Sequence, residues 1–236
     1  MTDYAETIGR RAAPRGFARR LLALIAVLVG LIVAALPVAY ILWPRWPEPV
    51  AIDAPSLPII IGGVTFNVPP AAIRVAMQRR AGTQSRIDLM FVWPSLEPPD
   101  PNVKPSAAAP INVDDRIFVT VAGADSTLPP VERLKTIYPR YVTTGHGSTQ
   151  DGLKTQAFRA NTPYQGEDLI YEPASPARFL LRCTRAIRST PGMCLHERRL
   201  AGADVTVRFP RDWLKDWRDV ASGIDRLIAS LKPTDN

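Results

Sequence analysis

The sequence lacks the short motifs that identify most enzyme active sites. It contains no Gly-x-Ser-x-Gly, no phosphate-binding glycine-rich loop and no His-Glu-x-x-His. Its two histidines leave few candidates for general acid–base catalysis, because histidine is the side chain most often used for that task near neutral pH. The sequence therefore favours a binding role over a catalytic one, and it indicates no cofactor.

Cysteine is almost absent, and this scarcity is informative. The two cysteines, Cys183 and Cys194, are not arranged as Cys-x-x-Cys, which argues against thioredoxin-like redox chemistry. Each lies in a predicted strand beside a turn at residues 189–192, so both side chains face the same side at cross-strand distance. We therefore predict a disulfide in an oxidising compartment, and closing so short a loop contributes about 2–3 kcal/mol.

A metal site is the rival interpretation of the same region. Cys194 and His196 share one face of a strand and lie beside Cys183, and sulfur with imidazole suits copper or zinc. Met193 points the other way, so at most three protein ligands remain and nothing nearby completes a metal motif. The disulfide is the preferred prediction, with no metal bound and with His196 as a sheet residue that has solvated neighbours.

Lysine is also scarce, which bears on the origin and the partners of the protein. Only five of the 29 basic residues are lysines, and alanine and proline are abundant, a composition that indicates a GC-rich bacterial genome. The formal net charge is +7, but the first 20 residues supply +3 of it through five arginines and two acidic residues. The rest is spread over the chain, so the charge gives no argument for nucleic-acid binding.

One long hydrophobic run is present, from Leu21 to Trp43, and as a helix it matches a hydrocarbon core of roughly 30 Å. A signal peptide cleaved near residues 33–35 is the competing interpretation. Apolar residues continue to Leu42, however, which favours an uncleaved anchor in the lipid bilayer. Arginines are concentrated before the run and only Arg45 follows closely. This predicts a bacterial inner-membrane protein with a cytoplasmic N-terminus and a periplasmic C-terminal domain.

These features divide the chain into four parts. We predict a cytoplasmic Arg-rich tail over residues 1–20, a transmembrane helix over 21–43, a stiff Pro-rich tether over 44–58 and a periplasmic domain over 59–236. The last part is long enough for one domain with a real core and too short to predict two. A second Pro-rich stretch at 97–110 is predicted to be a long surface loop.

The periodicity of the domain predicts an α+β fold, mainly antiparallel sheet with packed helices. Residues 69–80 and a segment from Pro129 are predicted to form short helices, each opened by a Pro-Pro pair. A C-terminal helix from Trp213 to Leu231 should cover one sheet face, with Trp213 and Trp217 in the core rather than at a membrane surface. The last five strands should form an antiparallel meander. The predicted strands are 59–68 (with a bend at Gly62-Gly63), 86–93, 116–122, 153–159, 168–171, 178–186, 193–200 and 203–209.

Candidate site residues are few. His146 lies in a glycine-flanked loop at 143–148 where an exposed general base could sit, and with Arg159 it forms the candidate polar site. A polar surface loop is the simpler interpretation, because Ser148 and Asp151 follow in the same segment and triad members usually meet through the fold. The acidic pairs Asp114-Asp115 and Glu167-Asp168 lie at predicted strand starts and are interpreted as solvated. The basic cluster is interpreted as a solvated helix face rather than as a phosphate or polyanion site, and it consists of Arg74, Arg79 and Arg80.

Two functional hypotheses from different classes follow. The first is a single-pass, membrane-anchored periplasmic accessory protein that docks on another envelope protein or complex, with Trp93 and Tyr164 either as contact points or as core residues. The alternative is a membrane-anchored periplasmic enzyme or small-ligand-binding domain with a site near His146 and Arg159. Metal handling through Cys194 and His196 is a third and weaker hypothesis.

Overall fold

A computed structural model describes residues 15–42, 50–51, 53–100, 103, 113–144, 148–186 and 191–233. The chain separates into two compact units, residues 1–48 and residues 49–236. The predicted tether at 44–58 lies partly outside the described residues, and so does most of the predicted loop at 97–110. The boundaries of the four predicted parts therefore stay predictions.

In the described part of the first unit, the chain forms helix α1 over Arg15–Leu42. Its stretch from Leu22 to Ile41 is long and apolar enough to cross a membrane, and the described side chains along it are exposed. A signal sequence near the N-terminus passes the same test of length and composition. The predicted apolar helix is confirmed.

The second unit is built on an eight-stranded sheet. Its strand order is β4-β5-β11-β10-β9-β8-β7-β6, and every neighbouring pair is antiparallel. The predicted meander of the last five strands is confirmed, because β7 to β11 follow one another in both sequence and space. The strands are β4 (Arg86–Val92), β5 (Arg116–Gly123), β6 (Ser148–Gln150), β7 (Leu153–Ala157), β8 (Glu167–Tyr171), β9 (Leu180–Thr184), β10 (Met193–Leu200) and β11 (Ala203–Pro210).

A three-stranded sheet precedes it, formed by β1 (Leu57–Ile61), β2 (Val64–Val68) and β3 (Gly82–Thr83) in the order β2-β1-β3. The bend predicted at Gly62-Gly63 is a complete hairpin turn, since β1 and β2 pair as antiparallel neighbours. Both glycines have positive φ, +57° and +78°, as two-residue hairpin turns require.

The helix predicted over residues 69–80 is wrong. The segment forms two short 3-10 turns, Pro70–Ala72 and Ala76–Gln78, and Ile73 and Val75 between them have extended backbones. Ile73 instead forms a β-bridge with Leu89 at the edge of β4. Pairing with the sheet edge satisfies the backbone of this segment, and the β-branched side chains favour the extended form.

The main core lies on one face of the large sheet, called here the inner face. Helix α3 (Trp217–Ser230) and the β1–β2 hairpin both contribute to it. Trp217 is buried as predicted, whereas Trp213 is partly buried in a 3-10 turn over Arg211–Asp216, so the α-helix begins four residues later than predicted. The backbone N–H of Asn67 in β2 donates to the carbonyl of Leu231 just after α3, at 2.8 Å. The predicted α+β class is confirmed.

The opposite, outer face is covered over β7 to β9 by helix α2 (Pro130–Thr136), as predicted from Pro129, and by the turn that follows it. A second, smaller core forms there around Tyr138, which is fully buried. Burial raises the pKa of Tyr138 to about 12, so its hydroxyl stays neutral. The described buried members of this smaller core are Tyr138, Val142, Phe158, Leu169 and Leu180.

Candidate interaction surface

The predicted disulfide is confirmed. Cys183 in β9 and Cys194 in β10 are direct cross-strand partners with a Cα–Cα distance of 4.0 Å, and their sulfurs are joined at 2.02 Å. Both residues are buried on the inner face. Neither sulfur is a free thiolate in this form, so neither supplies the metal ligand that the rival hypothesis requires.

His196 lies two residues further along β10 and is completely buried. Its Nδ1 is 3.1 Å from the carbonyl oxygen of Leu180, its ring stacks with Phe179, and its Nε2 has no hydrogen-bond partner. Burial, reinforced by the positive charge of Arg198, lowers the pKa of His196 to about 4. Nδ1 thus carries the proton and donates to Leu180 in a neutral imidazole. No group of three or more His, Cys, Asp or Glu that could hold a metal occurs among the described residues.

The prediction that the acidic residues at strand starts are solvated is wrong for Asp168. This carboxylate is buried near the start of β8, on the inner face, and is bound by Arg185 at 2.8 Å and by Arg211 at 2.6 Å. Two guanidiniums therefore compensate one buried charge, which makes the cluster a structural element of the sheet. Its neighbour Glu167 pairs with Arg182 at 3.1 Å.

The neighbours of His196 are also ion-paired rather than simply solvated. Glu197 accepts from Arg133 of α2 at 3.0 Å, and Arg198 contacts Asp225 of α3 at 2.8 Å. Each pair joins a helix to the large sheet. Neither pair was predictable from the sequence, because the partners lie on elements far apart in the chain.

Arg159 lies just after β7, and its guanidinium contacts the fold itself. Its Nη2 donates to the carbonyl of Arg140, and its backbone N–H donates to the carbonyl of Tyr141 at 2.9 Å. These contacts hold the segment after β7 against the turn after α2. His146 lies outside the described residues, so the site predicted around His146 and Arg159 stays a prediction.

A cavity of about 540 Å³ lies on the outer face, between α2 with the turn after it and strands β7 and β8. The described residues that line it carry no ionised side chain, only hydroxyls, one amide and apolar groups. Such a lining suits an uncharged small molecule and offers no general acid or base that is ionised near neutral pH. The lining residues are Leu134, Pro139, Val142, Thr143, Thr144, Gln156, Leu169 and Tyr171.

The two aromatic residues considered as contact points pack within the fold. Trp93 stacks on Trp213 with ring centroids 4.9 Å apart, and Tyr164 meets Tyr138 edge-to-face at 5.5 Å. Both are only partly exposed. Of the two roles considered for them, the geometry matches core packing.

The most exposed apolar side chain of the described domain lies in the segment that was predicted to be a helix. Met77 is 87% exposed and Val75 is 41% exposed. We call residues 74–80 the Met77 loop. It projects from the edge of β4, where the backbone N–H of Arg74 donates to the carbonyl of Asp88 at 2.9 Å.

Side chains on both sides hold the Met77 loop in place. The buried Gln84 donates from Nε2 to the carbonyls of Gln78 and Arg80, at 3.0 and 2.7 Å. Gln78 in turn bonds Asp88 twice, accepting from its backbone N–H at 2.8 Å and donating to its carboxylate at 3.1 Å. Arg79 donates twice to the carbonyl of Ile73, at 3.2 and 3.1 Å. The loop is therefore fixed by six side-chain hydrogen bonds while its apolar tip faces outward.

The Asp88 carboxylate belongs to the same arrangement. Arg86, helped by Gln78 and Thr120 and opposed by partial burial, lowers the pKa of Asp88 to about 2. The guanidinium of Arg74 lies 4.9 Å from the ring centroid of Phe118 in β5, so this arginine also packs against the large sheet. Asp88 is thus ionised at any physiological pH and anchors the loop to the sheet edge.

Comparison with known proteins shows the fold. No protein-family description matches the chain, and no curated protein does. The chain is similar to the structure of an immunity protein of the Stenotrophomonas maltophilia type IV secretion system, with a TM-score of 0.50 and 14% identity over 76% of this chain and 94% of that one. It also matches the iron-regulated outer membrane lipoprotein FrpD of Neisseria meningitidis, with a TM-score of 0.42 and 9% identity over 78% and 97%. At 14% identity, the likeness to the immunity protein concerns the fold alone.

Proposed function

We propose that this chain is a single-pass inner-membrane protein whose periplasmic domain docks on another envelope protein. The observation that carries the proposal is the exposure of α1. From Leu22 to Ile41 the described side chains are apolar and exposed. Leaving such a surface in water costs roughly 25 cal/mol per Å² of apolar area, and a bilayer removes that cost.

The charge pattern supports a cytoplasmic N-terminus. Five arginines lie within the first 20 residues, and few basic residues follow the apolar run closely. Translocation of the domain with its two buried cysteines to an oxidising compartment also accounts for the disulfide between Cys183 and Cys194.

A binding role is supported over a catalytic one by the use of the charged side chains. Asp168, Glu167, Glu197 and Asp225 are all occupied in ion pairs that join elements of the fold. The only described histidine, His196, is buried away from any substrate. The fold is also that of a protein described as an immunity protein of a secretion system. We take from that likeness only that such a fold is compatible with a binding role.

Two measurements on the full chain test the proposal. Peptide mapping of the membrane-extracted protein should recover the residues that precede positions 33–35, and alkaline phosphatase fused after Asn236 should be active. A mature chain that begins after residues 33–35 and is released as a periplasmic protein would overturn the anchor. An inactive phosphatase fusion with an active cytoplasmic reporter at the same position would overturn the orientation.

A second candidate function is the binding of a small uncharged ligand in the cavity near α2. The observation in its favour is the cavity of about 540 Å³ with its uncharged lining. Gln156→Leu would remove its one described amide. If ligand binding were the function, a strain that makes this variant at a normal level should behave like a strain without the protein. The docking function should survive the change.

A further inference from the structure

The N-terminal part of the domain carries charge of one sign. Between Asp53 and Asp88 the sequence has four arginines and no acidic residue. Arg86 is neutralised by Asp88 at 2.7 Å, which leaves three arginines in the Met77 loop, at positions 74, 79 and 80. A partner of opposite charge is therefore favoured at this surface.

The Met77 loop also combines exposure with a fixed backbone. An exposed methionine on a loose loop would lose much entropy on binding, but the hydrogen bonds from Gln78, Arg79 and Gln84 already fix this loop. A side chain presented on a preformed backbone binds with less ordering cost. Methionine is enriched at protein interfaces and adapts to irregular apolar pockets.

We propose that the Met77 loop is the point where the domain docks, and that its partner is a protein surface with an apolar pocket bordered by carboxylates. Met77 enters the pocket, with Val75 at its edge, and Arg80 faces the carboxylates. This inference rests on the proposed function and names the docking site within it.

An anionic membrane surface is the other class of partner that a basic apolar loop suggests, and the geometry favours it less. Arg79 is bound to the carbonyl of Ile73 and Arg74 lies over Phe118, so among the three arginines only Arg80 is exposed without a described side-chain partner. One free charge contributes about 1 kcal/mol at an anionic leaflet, and one methionine and one valine insert little apolar area. A protein pocket makes better use of a single projecting side chain.

The test is site-specific photo-crosslinking of the full-length chain in the membranes of its own cells. A benzophenone amino acid replaces Met77 in one strain and Leu128 in the control strain. Leu128 is a matched position, because it is also an exposed apolar loop residue of the domain, at 45%. The crosslinked peptides are sequenced, and the same experiment is repeated with Arg80→Glu and with Gln84→Ala, which removes two loop hydrogen bonds without changing an exposed side chain.

The expected result is one protein adduct at position 77 whose labelled peptide has Asp or Glu beside apolar residues. The adduct should be absent at position 128 and should fall at least fivefold with either added substitution. In a binding assay with that partner once purified, Met77→Ser should weaken affinity about tenfold. Met77 is outside the core, so this variant should retain the unfolding midpoint of the parent chain.

Four results would overturn the proposal. These are an adduct with lipid alone, an adduct only with a second copy of the chain, equal labelling at positions 77 and 128, and capture of a partner at position 128 alone. The last of these would leave the docking function intact and move its site. A chain that forms no protein adduct at either position and migrates alone after gentle extraction would overturn the docking function as well.

Discussion

The carbonyl group of Gly202 lies directly against the Cα of Gly62. A Cβ atom placed on Gly62 would be 1.7 Å from the Gly202 oxygen, and one placed on Gly202 would be 2.0 Å from the Gly62 oxygen. The β1–β2 turn and the β10–β11 turn thus touch backbone to backbone. No side chain fits between them, so the contact requires glycine at both positions.

Gly62→Ala should therefore be much more damaging than Gly63→Ala. Both residues have positive φ, so the backbone strain of an alanine, about 1 kcal/mol, is common to the two variants. Only Gly62 also meets a neighbouring backbone, and moving that turn should cost at least about 2 kcal/mol more. Urea unfolding of the two variants measures the difference, and equal midpoints would show that the turns do not pack as described.

Gly223→Ala should destabilise the domain although alanine is the better helix former. Gly223 lies in α3 under the indole of Trp93, and a Cβ there would be 2.4 Å from a ring carbon. Trp93 is also stacked on Trp213, so it has little freedom to withdraw. We expect a loss of about 1–3 kcal/mol against a gain of about 1 kcal/mol for the same change at an open helix position. Ser222→Ala, one residue earlier and only partly buried, is the control and should be neutral or slightly stabilising in thermal unfolding.

His196 should make the domain sensitive to mild acid. Its pKa is about 4 in the folded protein and 6.5 in an unfolded chain. Between these values the unfolded chain binds a proton that the folded protein does not, so the free energy of unfolding falls as the pH drops from about 6.5 towards 4. The total loss is roughly 3 kcal/mol, from a slope of about 1.4 kcal/mol per pH unit.

His196→Phe separates this effect from other acid effects. Phenylalanine fills similar space beside Phe179 and cannot titrate. The variant loses the hydrogen bond to Leu180, so it should be less stable at pH 7, but its stability should vary less between pH 6.5 and 4. Asp88 affects stability at a lower pH range than His196 does. Because its pKa is about 2 in the folded protein, the stability it contributes is lost only as the pH falls below about 4. An unchanged slope in the variant would refute the assignment to His196.

Asp168→Asn should cost more than Asp225→Asn. The Asp168 carboxylate is 9% exposed and neutralises Arg185 and Arg211, so its loss leaves two neighbouring guanidiniums with no shared anion, at a cost of about 3 kcal/mol. The Asp225 carboxylate is 38% exposed and also contacts two arginines, yet solvent screens it and the change should cost under about 1 kcal/mol. Chemical denaturation of the two isosteric variants tests this, and similar losses would contradict the importance assigned to burial.

Much of the large sheet was predictable because its strands alternate cleanly. Ile87, Leu89 and Phe91 in β4 are all buried, as the period of two requires. The same rule placed Cys183 and Cys194 on one face, and the short turn between them fixed the register. These predictions used only local information, which is why they hold.

The errors occurred where distant side chains decide the outcome. The segment 69–80 has helix-like spacing, but Ile73 is held by Leu89 and the following loop by Gln84. The burial of Asp168 depends on Arg211, which lies 43 residues later. A helical stripe or a charged strand start gives no signal of such partners in the sequence. The proposed docking surface could not be predicted from the sequence for the same reason, because its arginines were assigned to a helix that does not form.

The hydrogen bond from Asn67 to Leu231 joins the second strand of the domain to the residue that follows its last helix. During synthesis the β1–β2 hairpin is the first part of the domain to leave the ribosome. The elements that complete its core, β11 and α3, are the last ones described in the domain to do so. Contacts so distant along the chain form slowly, because the entropy cost of closing a long loop comes before the contacts can stabilise the fold. The early hairpin therefore waits with its apolar face uncovered, and truncation near the C-terminus should harm the beginning of the domain as much as its end.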